Sequence, residues 1–153
     1  MSVDRLVAKD QCRDLLYSFG AALDRAAHAE AADMFTAEAT AARPDGLRLS
    51  GTAVREMLLN RPTDIMTVHV LSNVLITLSG DDSAEASALV LAYRVPRAPG
   101  EALPLPLPTS PHGVGEWHVQ FKRTDDGWRM SHWAATAILA PRTNPDSSLV
   151  GVR

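Results

Sequence analysis

The chain predicts an α+β fold in which N-terminal helices pack on one face of a curved antiparallel sheet. Three observations carry this expectation. In roughly the first sixty positions, apolar residues recur at intervals of three and four, the helical period. From Val68 onward they alternate, the strand period. Two turn signals, Ser79-Gly80-Asp81-Asp82 and Asp126-Gly127, then fold the second half into hairpins.

The first helix is expected from Val3 or Lys9 to Ala27. Cys12, Leu15, Leu16, Phe19 and Leu23 make its core stripe, and Tyr17, Gly20 and Asp24 form a second stripe beside it. A short helix over Ala29 to Phe35 follows. Residues 40–50 carry little pattern beyond the turn signal Pro44-Asp45-Gly46. A third helix is expected from Ala53 to Asn60, with Thr52 as N-cap and Pro62 as stop. Strands are expected over Val68–Leu78, Ser83–Val95, Gly115–Thr124 and Trp128–Ala137. In the third, Trp117, Val119 and Phe121 alternate against His118, Gln120 and Lys122. Six prolines fall in residues 96–111, which therefore read as an extended loop at the border of the sheet. Residues 1–140 are expected to form a single domain, and 141–153 a loose tail.

The length of 153 residues suits one sizeable core, and 46% apolar with 22% charged residues is an ordinary globular balance. The net charge of −3 and the lack of any basic run beyond Lys122-Arg123 argue against nucleic acid as a partner. No apolar stretch approaches a membrane span or a signal-peptide core. Cys12 is the single cysteine, so no internal disulfide can form, and it falls in the core stripe. A reducing cytoplasm is the expected location.

The run TVHVLSNVLITL holds the first hint of a site. A strand this apolar has no structural need of a histidine and an asparagine. Alternation puts Thr67, His69, Leu71, Asn73, Leu75 and Thr77 on one face, with Val68, Val70, Val74 and Ile76 on the other. That second face is apolar enough to suggest a dimer contact. Asp24 lies on a helix that must pack on this sheet. A carboxylate accepting one ring N–H would fix the histidine tautomer and leave the other nitrogen as a base. Tyr17 and Asn73 are candidates to hold polar substrate groups, and Trp117 and Leu71 to line the wall. No local metal-ligand pair is present, and only a site assembled across strands from His69, His118 and His132 stays open. Neither a phosphate-cradling nor a dinucleotide motif occurs, so no cofactor is expected.

Four segments carry a resemblance: LLYSFGAALDRAAHAEAADMFTAEAT, GTAVREML, TVHVLSNVLITLSGDDSAEA and FKRTDDGWRMSHW. In this order they resemble the SnoaL-like branch of the nuclear transport factor 2-like superfamily, over roughly residues 5–135. The resemblance implies a cone-shaped fold, three helices wrapped by a strongly bent sheet that encloses a pocket, usually in a homodimer. Scytalone dehydratase, lindane dehydrochlorinase, ketosteroid isomerase and polyketide cyclases share it, as do binding proteins without catalysis. The aspartate and histidine of the first two enzymes correspond to Asp24 and His69. There are departures. Leu23 stands where scytalone dehydratase has a tyrosine. Arg94 and Arg97 lie near the place of its second histidine, and Gly115 and Trp117 near its serine and asparagine. Arg123 is the candidate counterpart of the lindane enzyme's arginine.

Two functions follow as expectations. The first is a cofactor-independent dehydratase, lyase, isomerase or cyclase acting on a polycyclic or polyketide-like hydrophobic molecule through Asp24 and His69. The alternative is a non-catalytic binding or assembly module of the same fold, favoured by the lack of an evident second acid.

Overall fold

The computed structural model describes residues 1–142. Of the tail expected over 141–153, all but Pro141 and Arg142 lies outside the described residues. The chain runs α1 (Val3–Asp24), α2 (His28–Asp33), β1 (Phe35–Ala42), β2 (Arg48–Ser50), α3 (Thr52–Leu59), β3 (Ile65–Leu78), β4 (Ser83–Pro96), β5 (Gly113–Thr124) and β6 (Gly127–Leu139). The strands form one six-stranded sheet in the order β2-β1-β6-β5-β4-β3. All neighbours are antiparallel except β1 and β6, which are parallel, so the sheet is mixed.

The stripe Cys12-Leu16-Phe19-Leu23 of α1 is buried in one core with the inner faces of β4 and β5. Ala84, Ala86, Ala88 and Val90 of β4 meet Trp117, Val119 and Phe121 of β5 there. Small residues on β4 and large ones on β5 fill the space as complementary layers. Burial pushes the Cys12 thiol up to about 12, so it stays protonated and unreactive in the folded chain. Gly20 faces β3. A Cβ there would stand 3.3 Å from Leu71 Cδ1, so the glycine allows α1 to lie close to that strand. One helical turn on, Asp24 meets the same strand.

Residues 40–50, patternless in sequence, complete the sheet. Ala39 and Ala41 are buried, and the turn at Pro44-Asp45-Gly46 joins β1 to β2. The strand forms because β6 offers a parallel edge, a non-local cause that local propensity does not register. The second helix also ends earlier than expected, at Asp33, where Met34 leads into β1. Thr52 is not the cap of α3. Gly51 takes that position at φ +59°, a left-handed conformation suited to glycine, and no side-chain cap bond is made.

The largest correction concerns β3. Its register against β4 shifts between Ser72 and Leu75, and Asn73 adopts φ +51°. This is a β-bulge. One extra residue reverses the alternation beyond it. Leu75 and Thr77 therefore point outward, while Val74, Ile76 and Leu78 join the core. Asn73 is exposed and does not share the face of His69. Its residue type fits the backbone, since asparagine tolerates the left-handed region better than most.

A second irregularity lies in β5. A Cβ on Gly115 would stand 2.6 Å from the Thr136 carbonyl oxygen of β6, at a register shift between Val114 and Gly115. Backbone cannot yield as a side chain can. Gly115→Ala is expected to destabilise the fold by about 1–3 kcal/mol through overpacking, read as a lower denaturant midpoint at unchanged m-value. Wild-type stability in that variant would show that β6 moves freely.

Candidate functional site

Asp24 is the last residue of α1, at the end where the helix dipole disfavours an anion by roughly 0.3–1 kcal/mol. It is held by three hydrogen bonds from β3. The Thr67 hydroxyl donates to Oδ1 at 3.2 Å, and the His69 backbone N–H donates to Oδ2 at 2.8 Å. The third joins His69 Nδ1 to Oδ1 at 2.5 Å. A carboxylate can only accept here, so Nδ1 is the donor, which assigns the tautomer in which Nε2 is the free ring nitrogen. The pair is largely withdrawn from water, with side chains 12% (His69) and 22% (Asp24) exposed.

His69 lines a cavity of about 750 Å³ between the helices and the concave side of the sheet. Small-molecule sites commonly fall in this size range. Its apolar wall is aromatic on one side. Trp117 packs 5.5 Å from the His69 ring and 5.8 Å from Trp133, centroid to centroid. Phe19, Leu23 and Leu58 close the helical side.

Of the residues singled out in sequence, Asp24, His69 and Trp117 come together. Leu71 packs beside Gly20 and does not line the cavity. Tyr17, 44% exposed, does not line it: it lies about two helical turns before Asp24 on α1. Asn73 is carried outside by the bulge. Arg123 is exposed at the far end of β5. The cross-strand histidine set is not assembled: His118 pairs with Glu116 on the outer face, and His132 bonds the Thr40 hydroxyl. Among the described residues no group of three or more His, Cys, Asp or Glu is arranged to hold a metal ion. The proline-rich loop contributes none of residues 96–111 to the lining.

Several polar lining residues were not singled out: His28, Arg43, Asn60, Arg61 and His112; Arg94 from β4, noted only as standing near the place of a family histidine, joins them. For Arg61 a signal existed. It continues, just past the end of α3, the spacing of the buried residues Val54 and Leu58, where a charge is out of place. His28 and His112 lie at the start of α2 and just before β5, and no periodicity marks them.

Burial, helped by the nearby Arg61 cation, holds His28 below the usual imidazole range. Burial and then Arg48 do the same to His132. Both rings are thus neutral in the folded chain more readily than in the unfolded one. Their stabilising contribution is whole above the unfolded-state pKa of about 6.5 and is lost as pH falls through the lower folded-state values. Denaturant midpoints are expected to drop on acidification from neutrality. His28→Gln should flatten part of that slope; an unchanged slope would rule His28 out as a contributor.

The SnoaL-like domain family matches residues 4–134. A comparison with curated protein sequences finds no match. Solved structures share the fold at low identity. A candidate scytalone dehydratase from Novosphingobium aromaticivorans is 17% identical, with a TM-score of 0.75 over 94% of each chain. A hexachlorocyclohexane dehydrochlorinase from Novosphingobium barchaimii is 13% identical, with a TM-score of 0.70 over 90% of each chain. A candidate dehydratase of the NTF2-like family from Streptomyces avermitilis is 16% identical, with a TM-score of 0.70 over 86% of this chain and 96% of the other.

Proposed function

The chain belongs to the SnoaL-like domain family, and from that premise we propose that it is a cofactor-independent acid/base enzyme acting on a flat, polycyclic or polyketide-like small molecule. The observation that carries the reading is the Asp24–His69 bond at the wall of an aromatic cavity. His69 Nε2 takes a proton from a carbon next to a carbonyl or a leaving group. Asp24 holds the ring in the tautomer that can do so and stabilises the imidazolium that forms. The imidazolium then returns the proton, to another carbon for isomerisation or to a departing oxygen for dehydration. Trp117 and Trp133 offer stacking faces to the rings of the substrate. Two features support a dedicated role for the dyad. The anion sits against the helix dipole, and an otherwise apolar strand face is interrupted to meet it. The reading includes a homodimer, since Val68, Val70 and Leu75 leave apolar surface open on the outside of β3.

A second reading, a non-catalytic binding module, is favoured by one observation. The only carboxylate among the described lining residues, Asp45, is already paired with Arg43, so no carboxylic acid stands ready for a leaving group. A screen of polycyclic ketones and β-hydroxy ketones in deuterated water separates the two. Turnover, or deuterium uptake at the carbon acid, supports the enzyme. Ligands that bind yet neither react nor exchange support the binding module.

A further inference from the structure

The cavity has a polar end that the dyad does not use. Arg61 follows α3 by two residues, and its backbone N–H bonds Leu58 O at 3.3 Å. The side chain lines the cavity and is partly buried. Its Nε is sealed from solvent without an acceptor. Arginines near helix ends often serve the last carbonyls, but the described residues include no such bond from this side chain. Arg94 lines the same cavity, and neither arginine has a carboxylate partner among the described residues. Asp24 is committed to His69 and Thr67, and Asp45 to Arg43.

The aromatic wall repeats the pattern. Trp133 Nε1 is a buried donor with no acceptor, and Trp133 also lines the cavity. A third such donor, Trp128 Nε1, belongs to a residue outside the lining. Burial, then repulsion from Arg94, lowers the Arg61 pKa, with Asp24 opposing and Arg43 adding a little. A guanidinium nonetheless stays charged near neutrality. A partly buried cation without a counter-ion is costly, as are buried donors without acceptors. Within the described chain, nothing meets this demand.

We propose that the cavity selects an anionic ligand, an aromatic or polycyclic carboxylate, with the guanidinium of Arg61 as its ion partner and Arg94 reinforcing the field. The proposal rests on the acid/base reading of this cavity and names its substrate class. A carboxylate suits a guanidinium better than other acceptors, because its two oxygens match the planar fork of N–H donors. The flat hydrocarbon part then lies along Trp117 and Trp133. With its acid group held at Arg61, the ligand is also held in one orientation toward His69 Nε2, the positioning that proton abstraction requires.

The test is direct binding, which needs no knowledge of the reaction. Paired probes of one to three rings are titrated by calorimetry: benzoate, 2-naphthoate and anthraquinone-2-carboxylate, each against its amide. The wild type is expected to bind at least one acid about tenfold or more tightly than its amide, the scale of one charge-assisted contact. Arg61→Leu should reduce that preference to within about twofold, and Arg61→Lys should restore part of it. Thermal melts of each variant check folding, and Arg61→Lys keeps the test informative if the leucine variant fails to fold. His69→Ala should leave the preference intact, since the base is not the partner of the anion. Equal affinity for acid and amide, a preference that survives Arg61→Leu, one lost in His69→Ala instead, or no acid bound at all would each overturn the proposal. Failure of the acid/base reading looks different: the acids bind through Arg61, yet the ketones and β-hydroxy ketones of the deuterated-water screen neither turn over nor exchange.

Discussion

His69→Ala is expected to lower turnover by on the order of 10²–10⁴-fold, the range for loss of a positioned general base. The loss should fall on kcat with little change in KM, because proton transfer belongs to the transition state and not to ground-state binding. Asp24→Asn is the more searching variant. The carboxylate accepts from the Thr67 hydroxyl, the His69 backbone N–H and His69 Nδ1. An amide keeps one acceptor oxygen and replaces the other with a donor. If the oxygen stays with the backbone N–H, the NH₂ group faces Nδ1 and favours the tautomer that puts the proton on Nε2, where the base must act. Turnover should fall by a similar factor while the fold survives. Stopped-flow rates on any substrate from the ketone screen, beside unfolding curves for both variants, would decide it. Full activity in either variant with a native unfolding curve would remove the dyad from the mechanism.

Phe19→Ala is expected to have the largest effect on stability, about 3–5 kcal/mol. Phe19 is 1% exposed. Its ring lies 5.4 Å from Phe35, 5.5 Å from Trp117 and 6.2 Å from Trp133. It therefore ties α1 to the adjacent strands β1, β6 and β5. Truncation removes apolar burial, breaks three aromatic contacts and leaves a void that rigid rings cannot fill by small shifts. At roughly 2–4 °C per kcal/mol for a chain of this size, the melting temperature should fall by about 10 °C. Phe19 also lines the ligand cavity. A small loss of stability together with tighter binding of larger ligands would show that the site tolerates open volume, contrary to the jigsaw packing inferred here.

Sequence reading reached some elements because their cause is local. The α1 stripe, the Ala-rich inner face of β4 and the Trp117-Val119-Phe121 alternation are periodic patterns, and each packs as its period implies. The Asp126-Gly127 hairpin is likewise local, with Gly127 at φ +103° as its turn requires. Asp24 could be matched with His69 because both broke their surroundings: an anion at a helix C-terminal end and an imidazole in an apolar strand.

Other features lay beyond local reasoning. β1 is held as a strand between β2 and β6, and β6 runs beside it in parallel from nearly a hundred residues later in the chain. The bulge at Asn73 is a single backbone state, and it reversed five assignments at once, those of Asn73, Val74, Leu75, Ile76 and Thr77. A period-2 pattern has no memory across an inserted residue, so the faces of these residues depended on pairing with β4. Arg61, His28 and His112 reach the cavity from three separate segments. No spacing within one segment reveals that convergence.

The amino-acid sequence by itself determined the class of fold, the order of most elements, the resemblance to the family and the choice of Asp24 and His69, two residues that the fold brings into hydrogen-bond contact. All of these follow from periodicity, turn chemistry and short motifs, which are properties of neighbours along the chain. Only the tertiary structure decided which polar groups share the cavity with that pair. It set Asn73 and Tyr17 outside and brought Arg61 and Arg94 in. The physical reason is that a cavity is bounded by surfaces distant in sequence, and one bulge or one helix end is enough to change which side chains they present.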